Sequence, residues 1–251
     1  MASFRSVANT GHAISWTVFM CSTFLPIYAV TRSRVGFRWA TRKWAEGMAG
    51  GWGMNVEAVG RDRIDADGTY VFMANHLSHV DIVALFIALP MNVGFLAKKE
   101  LRRVPFLGQA MVAGGHVFID RGRRERAVQA LDDAARQVAA GASIVVFPEG
   151  TRGGEERVQA FKKGGFHLAR QANVPIVPVG IRGTRSIMTR DELVIHPGNV
   201  SVHIGSPIAP ANFSDADSLS DAVRSRIAEL SAMPLAQVER ASRPATPVPP
   251  A

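Results

Sequence analysis

The chain has 251 residues, 47% of them hydrophobic, and a formal net charge of +8, which together predict one substantial α/β core with a basic surface. Such a surface suits anionic lipid or a phosphorylated substrate, and we expect no nucleic-acid partner because no zinc-finger, RNA-recognition or basic-zipper pattern occurs. The single cysteine, Cys21, excludes an internal disulfide framework and a cysteine-rich metal site.

An uncharged stretch opens the chain, since no Lys, Arg, Asp or Glu occurs between Arg5 and Arg32. Residues 13–30 within it reach the length of roughly 18 mostly apolar residues that a membrane-spanning helix needs. A re-entrant or interfacial helix is the alternative, because Pro26 and several Ser and Thr residues interrupt the apolar run. By the positive-inside bias, the basic residues after the stretch predict that the bulk of the protein faces the cytoplasm (Arg32, Arg34, Arg38, Arg42 and Lys43).

Residues 35–48 have the pattern of a basic amphipathic helix, with Trp39 and Trp44 suited to the headgroup level of a bilayer. A helix packed on the soluble core is the alternative. Residues 1–50 are therefore predicted to form a membrane-associated helical segment. A single domain over residues 51–235 follows, and a disordered proline-rich tail is predicted over residues 236–251.

Beyond the glycine-rich break at residues 47–53, short β-like runs alternate with helical ones, which predicts an α/β domain with a largely parallel, helix-covered sheet. Strands are predicted over residues 56–59, 69–74, 93–97, 116–120, 143–147 and 176–181. Helices are predicted over residues 80–88, 125–139, 163–172 and 218–235. Residues 193–204 predict a hairpin that turns at Pro197 and Gly198.

The segment Asn75-His76-Leu-Ser-His-Val-Asp81 follows the second of these strands. A histidine beside a carboxylate is the minimal pair for removing a proton from an alcohol, because the carboxylate fixes the tautomer and stabilises the imidazolium. Neighbours on a helix lie three or four residues apart, so a spacing of five predicts His76 in the turn before a helix and Asp81 in its first turn. A surface polar cluster or a helix cap is the alternative.

Polar groups also follow three other predicted strands, namely Lys98-Lys99, Asp120-Arg121 and Glu149 to Arg152. Ligands bind beyond the carboxyl ends of parallel strands, so these groups are predicted to share a pocket with His76. Arg152 offers a fork of donors for phosphate, and Glu149 could orient it or bind a substrate hydroxyl; a surface ion pair is the alternative. Two readings stay open for residues 174–179, a groove for an alkyl chain or a core strand.

Four of these segments resemble, in the same order, the sequence blocks of the lysophosphatidic acid acyltransferases. These are the 1-acyl-glycerol-3-phosphate O-acyltransferases of the wider glycerolipid acyltransferase superfamily. The segments are residues 75–81, 117–121, 147–152 and 174–179, and the resemblance extends over roughly residues 55 to 210.

The resemblance implies a glycerol-3-phosphate acyltransferase-like fold and transfer of a fatty acyl group from acyl-CoA or acyl-carrier protein. The acceptor would be the sn-2 hydroxyl of 1-acyl-glycerol 3-phosphate, and the product would be phosphatidic acid. His76 and Asp81 would be catalytic, and no metal or bound cofactor is expected. The resemblance assigns substrate binding to seven residues: Asn75, Lys99, Arg121, Glu149, Gly150, Thr151 and Arg152.

Three alternatives differ from this reading. The same chemistry could act on another acceptor, such as a lyso-ornithine lipid or another lysophospholipid. A serine hydrolase would need a nucleophile elbow, and no G-x-S-x-G pattern occurs in the chain. A non-enzymatic lipid-binding module would account for the amphipathic start and the charge, but would leave the spacing of His76 and Asp81 unexplained.

Overall fold

The structure is a computed structural model that describes residues 2–120, 122–153, 157–189 and 194–236. The described residues contain the strands β1 (Met54–Val59), β2 (Val71–Ala74), β3 (Val93–Lys98), β4 (Val117–Ile119), β5 (Ser143–Val146), β6 (Ile176–Arg182) and β7 (Gly198–Ile204). The helices are α1 (Ala2–Thr31), α2 (Arg34–Trp52), α3 (Val80–Ala88), α4 (Leu107–Ala113), α5 (Arg124–Ala139), α6 (Gly164–Ala172), α7 (Thr184–Ile187) and α8 (Ala216–Ser231).

All of these strands join one sheet in the order β1-β7-β6-β2-β5-β3-β4. The five strands from β6 to β4 run parallel to one another, whereas β7 is antiparallel to β6 and parallel to β1. The predicted fold class, an α/β domain with a largely parallel and helix-covered sheet, is confirmed. The carboxyl ends of β2, β3, β4 and β5 consequently meet at one edge of the sheet.

The hairpin predicted over residues 193–204 is wrong within its described part. Residues 194–197 form no strand, and only β7 forms at the end of this stretch. Since β7 is hydrogen-bonded to β1 on one side and to β6 on the other, no edge of it is left for a hairpin partner. Leu193 and most of the predicted tail, residues 237–251, lie outside the described residues.

Helices cover the sheet on both faces and bury a separate apolar cluster on each. One cluster joins α2 and α3 to the sheet, and Phe72 and Leu85 are among its fully buried members. The other joins α5, α6 and α8 to the opposite face around Phe166 and Ile227. Residues 174–179 supply Ile176, Val177 and Val179 to these clusters, so the core-strand reading of this segment holds.

Helix α1 lies along α2 and is fastened to it by polar side chains. Trp16 Nε1 donates to the carbonyl oxygen of Trp44, and Trp44 Nε1 donates to Thr17 Oγ1, both at 3.0 Å. Residues 7–31 have the length and composition to cross a membrane, with a mean hydropathy of 1.6, and 11% of the most apolar window is buried. This finding rests on length and composition alone, so α1 is a candidate membrane helix.

One face of α2 packs on the α/β domain. This agrees with the alternative given for residues 35–48, a helix packed on the soluble core. Ala45, Met48, Ala49 and Trp52 on this face are buried and belong to the cluster with α3. Trp39 is half exposed and its ring centroid lies 5.3 Å from that of Phe24, so the rest of the helix surface is shared between α1 and solvent. The division into residues 1–50, 51–235 and 236–251 remains a prediction, although α2 contributes to the core of the second part.

Candidate active site

The loops after β2 and β5 are bonded to each other at the carboxyl edge of the sheet. The backbone N–H of His76 donates to Glu149 Oε1 at 3.0 Å, and the N–H of Gly153 donates to the carbonyl oxygen of His76 at 2.8 Å. The two strands are neighbours in the sheet, with Met73 opposite Val146. The predicted catalytic histidine is therefore held between two loops that the fold places side by side.

His76 and Asp81 form the pair that their spacing predicts. Nδ1 of His76 lies 2.7 Å from Oδ2 of Asp81, and α3 begins at Val80, so Asp81 stands in its first turn. The same Oδ2 accepts the N–H groups of Leu77 at 2.9 Å and Ser78 at 3.0 Å. Because Asp81 is fully buried and tied to the backbone, it holds the proton of His76 on Nδ1 and leaves Nε2 as the basic nitrogen.

The imidazole of His76 also stacks on a phenyl ring. The ring centroids of His76 and Phe147 lie 3.9 Å apart with an interplanar angle of 15°. The side chain of His76 is 15% exposed and lines the cavity described below. Stacking and the bond to Asp81 together fix the plane of the ring, which is the preorganisation that a general base needs.

Glu149 is a support for His76 in this structure. Its Oε1 accepts from the backbone of His76, and its Oε2 accepts from the backbone N–H of Gln159 at 3.1 Å. Burial raises the pKa of the Glu149 carboxyl, and the two backbone donors act in the opposite direction. Because the residue is buried and both oxygens are bonded, the predicted contact of Glu149 with substrate is corrected to a positioning role.

The predicted contact of Asn75 with substrate does not fit the structure either. Its side chain is fully buried and bridges to β6, with Nδ2 donating to the carbonyl oxygen of Ile181 at 2.9 Å and Oδ1 accepting from the N–H of Ile181 at 2.8 Å. The side-chain amide thus bonds both the N–H and the carbonyl oxygen of one residue of β6, and it points into the core. Asn75 therefore braces the start of the catalytic loop against the sheet.

A largely apolar cavity of about 1200 Å³ is lined in part by His76. Its walls are mostly apolar side chains of α1, α2 and α3, of the end of β3, and of residues 101–111. The sequence predicts residues 1–50 as a separate membrane-associated segment, whereas in the structure α1 also forms a wall of the site. The amphipathic pattern of α2 is the sequence signal for this wall. Its apolar face requires an apolar partner, and in the structure α1 and α2 together line the cavity.

Polar groups line the same cavity near His76. They include His79, Gly150, Thr151 and Arg152, so three residues of the predicted third block are brought to the catalytic pair. Burial and the nearby charge of Arg152 lower the pKa of His79. His79, to which the sequence analysis gives no role, thus belongs to the lining of the site.

The side chain of Lys162, which the sequence analysis does not single out, packs against the turn at Gly150. Gly150 has a φ of +76°, and a Cβ atom there would lie 2.8 Å from Nζ of Lys162. The backbone N–H of Lys162 donates to the carbonyl oxygen of Pro148 at 2.8 Å, which anchors the lysine beside this turn. Glycine is thus needed both for the left-handed backbone and for the passage of the lysine stem.

Lys99 lies beside the site and is engaged in an ion pair. Its Nζ donates to Asp120 Oδ2 at 2.7 Å, and this bond lowers the pKa of the Asp120 carboxyl. It is the neighbouring Lys98 that lines the cavity. Arg121, the other predicted ligand from this edge, lies outside the described residues. The pairing links the ends of β3 and β4 and leaves the Lys99 side chain half exposed, so its contact with substrate remains a prediction.

His116 is an unusual polar member of the cavity wall. Its ring centroid lies 5.6 Å from that of Phe95 and 6.3 Å from that of Phe86. Burial lowers the pKa of this imidazole from its ordinary value of 6.5 to about 4. The folded protein therefore favours the neutral form of His116. Between about pH 6.5 and pH 4, this imidazole is protonated in the unfolded chain but largely neutral in the folded protein.

We expect the fold to lose stability on acidification through His116. Its folded pKa is depressed, so the stability it contributes is lost as the pH falls from about 6.5 towards 4, with a cost on the order of 2 kcal/mol between pH 7 and pH 5. His116→Phe should remove this pH-dependent loss. Denaturant titration at pH 7 and at pH 5 would measure the free energy of unfolding of the natural protein and of the variant. His167→Phe, at an exposed position on α6, is the control. Equal acid loss in all three proteins would contradict the assignment.

Among the described residues, no group of three or more His, Cys, Asp or Glu side chains is placed to hold a metal ion. The chemistry that this part of the chain offers is proton transfer at Nε2 of His76, next to an apolar cavity and basic side chains.

Comparisons with known proteins agree with this chemistry. The family model described as "Acyltransferase" matches residues 55–182. A curated 1-acyl-sn-glycerol-3-phosphate acyltransferase of Saccharomyces cerevisiae is 38% identical over 165 residues, which cover 64% of this chain and 54% of that protein. The 1-acyl-sn-glycerol-3-phosphate acyltransferase alpha of Homo sapiens is 30% identical over 212 residues, which cover 83% of this chain and 75% of that protein.

The fold has a solved counterpart. The crystal structure of the 1-acyl-sn-glycerophosphate (LPA) acyltransferase PlsC from Thermotoga maritima superposes with a TM-score of 0.82 at 27% identity, covering 91% of this chain and 93% of that one. The matched part of the chain spans about half the length of the yeast relative and of a Chlamydomonas reinhardtii relative. With a family model over half of its residues and these relatives, the chain belongs to the acyltransferase family of the 1-acyl-sn-glycerol-3-phosphate acyltransferases.

Proposed function

We propose that this protein transfers a fatty acyl group from a thioester donor to the sn-2 hydroxyl of 1-acyl-glycerol 3-phosphate and so forms phosphatidic acid for phospholipid biosynthesis. The observation that carries the proposal is the pair of His76 and the buried Asp81, with His76 and Arg152 both lining one largely apolar cavity. The names of the relatives favour the same reaction. The donor is acyl-CoA or acyl-carrier protein, and no metal or bound cofactor takes part.

In the proposed reaction, Nε2 of His76 accepts the proton of the acceptor hydroxyl as its oxygen attacks the thioester carbonyl. Asp81 stabilises the imidazolium that forms, because its carboxylate is buried 2.7 Å from Nδ1. The tetrahedral intermediate then collapses, the C–S bond breaks, and the leaving thiolate takes the proton from His76. No acyl-enzyme is needed, since a thiolate is a good leaving group and positioning by the site supplies the remaining advantage.

The apolar cavity is the proposed site of the donor's acyl chain. It is lined by His76 and walled by α1, α2 and α3, so a chain lying within it with its thioester at His76 would present the carbonyl to the basic nitrogen. Burial of a methylene chain among such side chains is favourable by about 0.8 kcal/mol per CH₂ group. The size of the cavity, about 1200 Å³, is ample for a long acyl chain.

Arg152 is the proposed ligand of the acceptor phosphate, with Gly150 and Thr151 beside it and Arg121 as a further candidate. We expect Arg152→Ala to raise the KM for 1-acyl-glycerol 3-phosphate by roughly ten- to a hundred-fold, the worth of one or two charge-assisted hydrogen bonds. The KM for the acyl donor should change little. Steady-state kinetics with each substrate varied in turn would measure this, with Arg170→Ala, exposed on α6, as the control. An unchanged acceptor KM would remove Arg152 from phosphate recognition.

The proposed location is the cytoplasmic face of the inner or plasma membrane. It is supported by the apolar helix α1 and by the basic residues that follow it. The acceptor and the product of the proposed reaction are membrane lipids, so an enzyme at the bilayer surface would meet the acceptor where it partitions.

The proposal is tested by supplying purified protein with labelled oleoyl-CoA or oleoyl-carrier protein and a panel of acceptors. These are 1-acyl-glycerol 3-phosphate, other lysophospholipids and a lyso-ornithine lipid, with the products identified by mass spectrometry. Labelled phosphatidic acid as the main product is the expected result. A different acylated lipid would move the protein to another acceptor, and hydrolysis of the thioester without an acylated product would overturn acyl transfer.

A further inference from the structure

Residues 102–106, together with Val112 of α4, form an exposed apolar and basic surface on the catalytic domain, here called the 102–112 tip. Val104 is 40% exposed, Phe106 43% and Val112 51%. Large apolar side chains grouped in this way at the surface mark an interaction site more often than scattered single ones do.

The backbone at Phe106 is held in a strained conformation. Phe106 has φ +62° and ψ −54°, and the N–H of Leu107 donates to the carbonyl oxygen of Pro105 at 2.7 Å, which closes a γ-turn around it. A positive φ is a true outlier for so bulky a residue, and such strain is typical of segments that contact ligands. The turn carries the phenyl ring to the surface, where it is nearly half exposed.

The tip adjoins both the cavity and the candidate membrane helix. Val104, Pro105 and Phe106 line the same cavity as His76, together with Val18 and Ile27 of α1. Those α1 residues are themselves exposed apolar side chains of the 7–31 stretch. The apolar surface of α1 therefore continues onto the catalytic domain across the rim of the cavity.

The charge of the tip complements an anionic surface. Arg102 and Arg103 are exposed immediately before Val104, and Glu100 is the acidic residue in the same short helix over Lys99–Arg103. Basic residues flanking inserted apolar side chains are the pattern by which proteins bind bilayers that contain anionic lipid.

We propose that the 102–112 tip is a second membrane contact, which inserts Val104 and Phe106 into an anionic bilayer while Arg102 and Arg103 bind its headgroups. The rim of the cavity then lies in the lipid, so an acyl chain passes into the cavity from the bilayer without crossing water. This surface belongs to the catalytic domain, beyond the helical segment over residues 1–50, and its test does not depend on turnover.

Site-directed labelling of the full chain tests the tip directly. Cys21 is the only cysteine, so a Cys21→Ala background with Val104→Cys or Val128→Cys carries one environment-sensitive dye. Val128 is the matched control because it is also an exposed valine, 52% accessible, on α5 at the opposite face of the sheet. The probes are vesicles of phosphatidylcholine alone or mixed with phosphatidylglycerol, and flotation measures binding of the whole protein.

The expected result is a blue shift and quenching by lipid-borne quenchers for the dye at position 104, with no change for the dye at position 128. Replacing both Arg102 and Arg103 with glutamine should weaken partitioning to the phosphatidylglycerol vesicles roughly thirty-fold and leave binding to phosphatidylcholine unchanged. A dye at position 104 that behaves like the one at 128, whether or not the protein floats with vesicles, would overturn the proposal. An equal loss with both vesicle types would overturn the role of the arginines.

Discussion

Replacing His76 with alanine should lower the kcat of acyl transfer by about three orders of magnitude, because the acceptor hydroxyl loses its general base. The fold should survive, since the side chain of His76 lies at the cavity surface and its backbone bonds to Glu149 and Gly153 do not involve the imidazole. Initial rates with oleoyl-CoA and 1-acyl-glycerol 3-phosphate would measure the loss, and circular dichroism would verify the fold. His167→Ala, at an exposed position on α6, is the matched control and should keep full activity.

Asp81→Asn should cost a comparable factor, roughly 10² to 10⁴, for a different reason. The amide can still accept the N–H groups of Leu77 and Ser78, so the loop keeps its geometry, but the charge that stabilises the imidazolium is gone. If either purified, folded variant turned over at close to the rate of the natural protein, the role of the pair in proton transfer would be refuted.

Glu149→Gln is expected to lower kcat by about 10²-fold with little change in the KM for the acceptor. Glu149 accepts two backbone N–H groups, and a glutamine can accept only one of them while its amide N–H₂ faces the other. If the bond to His76 is lost, the loop that carries the catalytic ring shifts, and displacement by about 1 Å is enough for such a loss. Steady-state kinetics that separate kcat from KM would measure it.

The matched control for Glu149 is Gln159→Ala, because Glu149 is bonded to the backbone of Gln159 and the substitution keeps that bond. Full activity is expected for this variant. The opposite pattern in Glu149→Gln, a raised acceptor KM with an unchanged kcat, would show that Glu149 contacts the acceptor and that its positioning role is wrong. Glu149→Gln should also lower stability by about 1–3 kcal/mol, since one buried N–H loses its acceptor.

Much of the fold could be predicted because its elements carry local signals. β5 is a short buried apolar run, and the apolar segment of α3 has the same bounds in the prediction and in the structure. α4 was not predicted, because it has seven residues, contains Gly108 and follows the γ-turn at Phe106 instead of a capping residue. The place of β7 between β1 and β6 depends on pairing across the whole sheet, which no local pattern encodes.

The catalytic pair could be predicted because chemistry and geometry both constrain the spacing of His76 and Asp81. The roles of Asn75 and Glu149 could not, since a polar residue next to a motif can face either the substrate or the backbone. In both cases the partner lies far along the chain or is a main-chain group, at Ile181 and at Gln159. The cavity wall was missed because α1 looked like a free membrane helix when its packing against α2 was unknown.

The stack of His76 on Phe147 bears on the handedness of the acceptor in the proposed reaction. With the plane of the imidazole held by the phenyl ring and its tilt held by Asp81, the lone pair of Nε2 points along one line in space. A glycerol carbon that carries three different arms can bring its oxygen onto that line from only one of its two mirror forms while the phosphate and the tail keep their places. In the proposed reaction, the fixed orientation of this one ring therefore favours one mirror form of the acceptor.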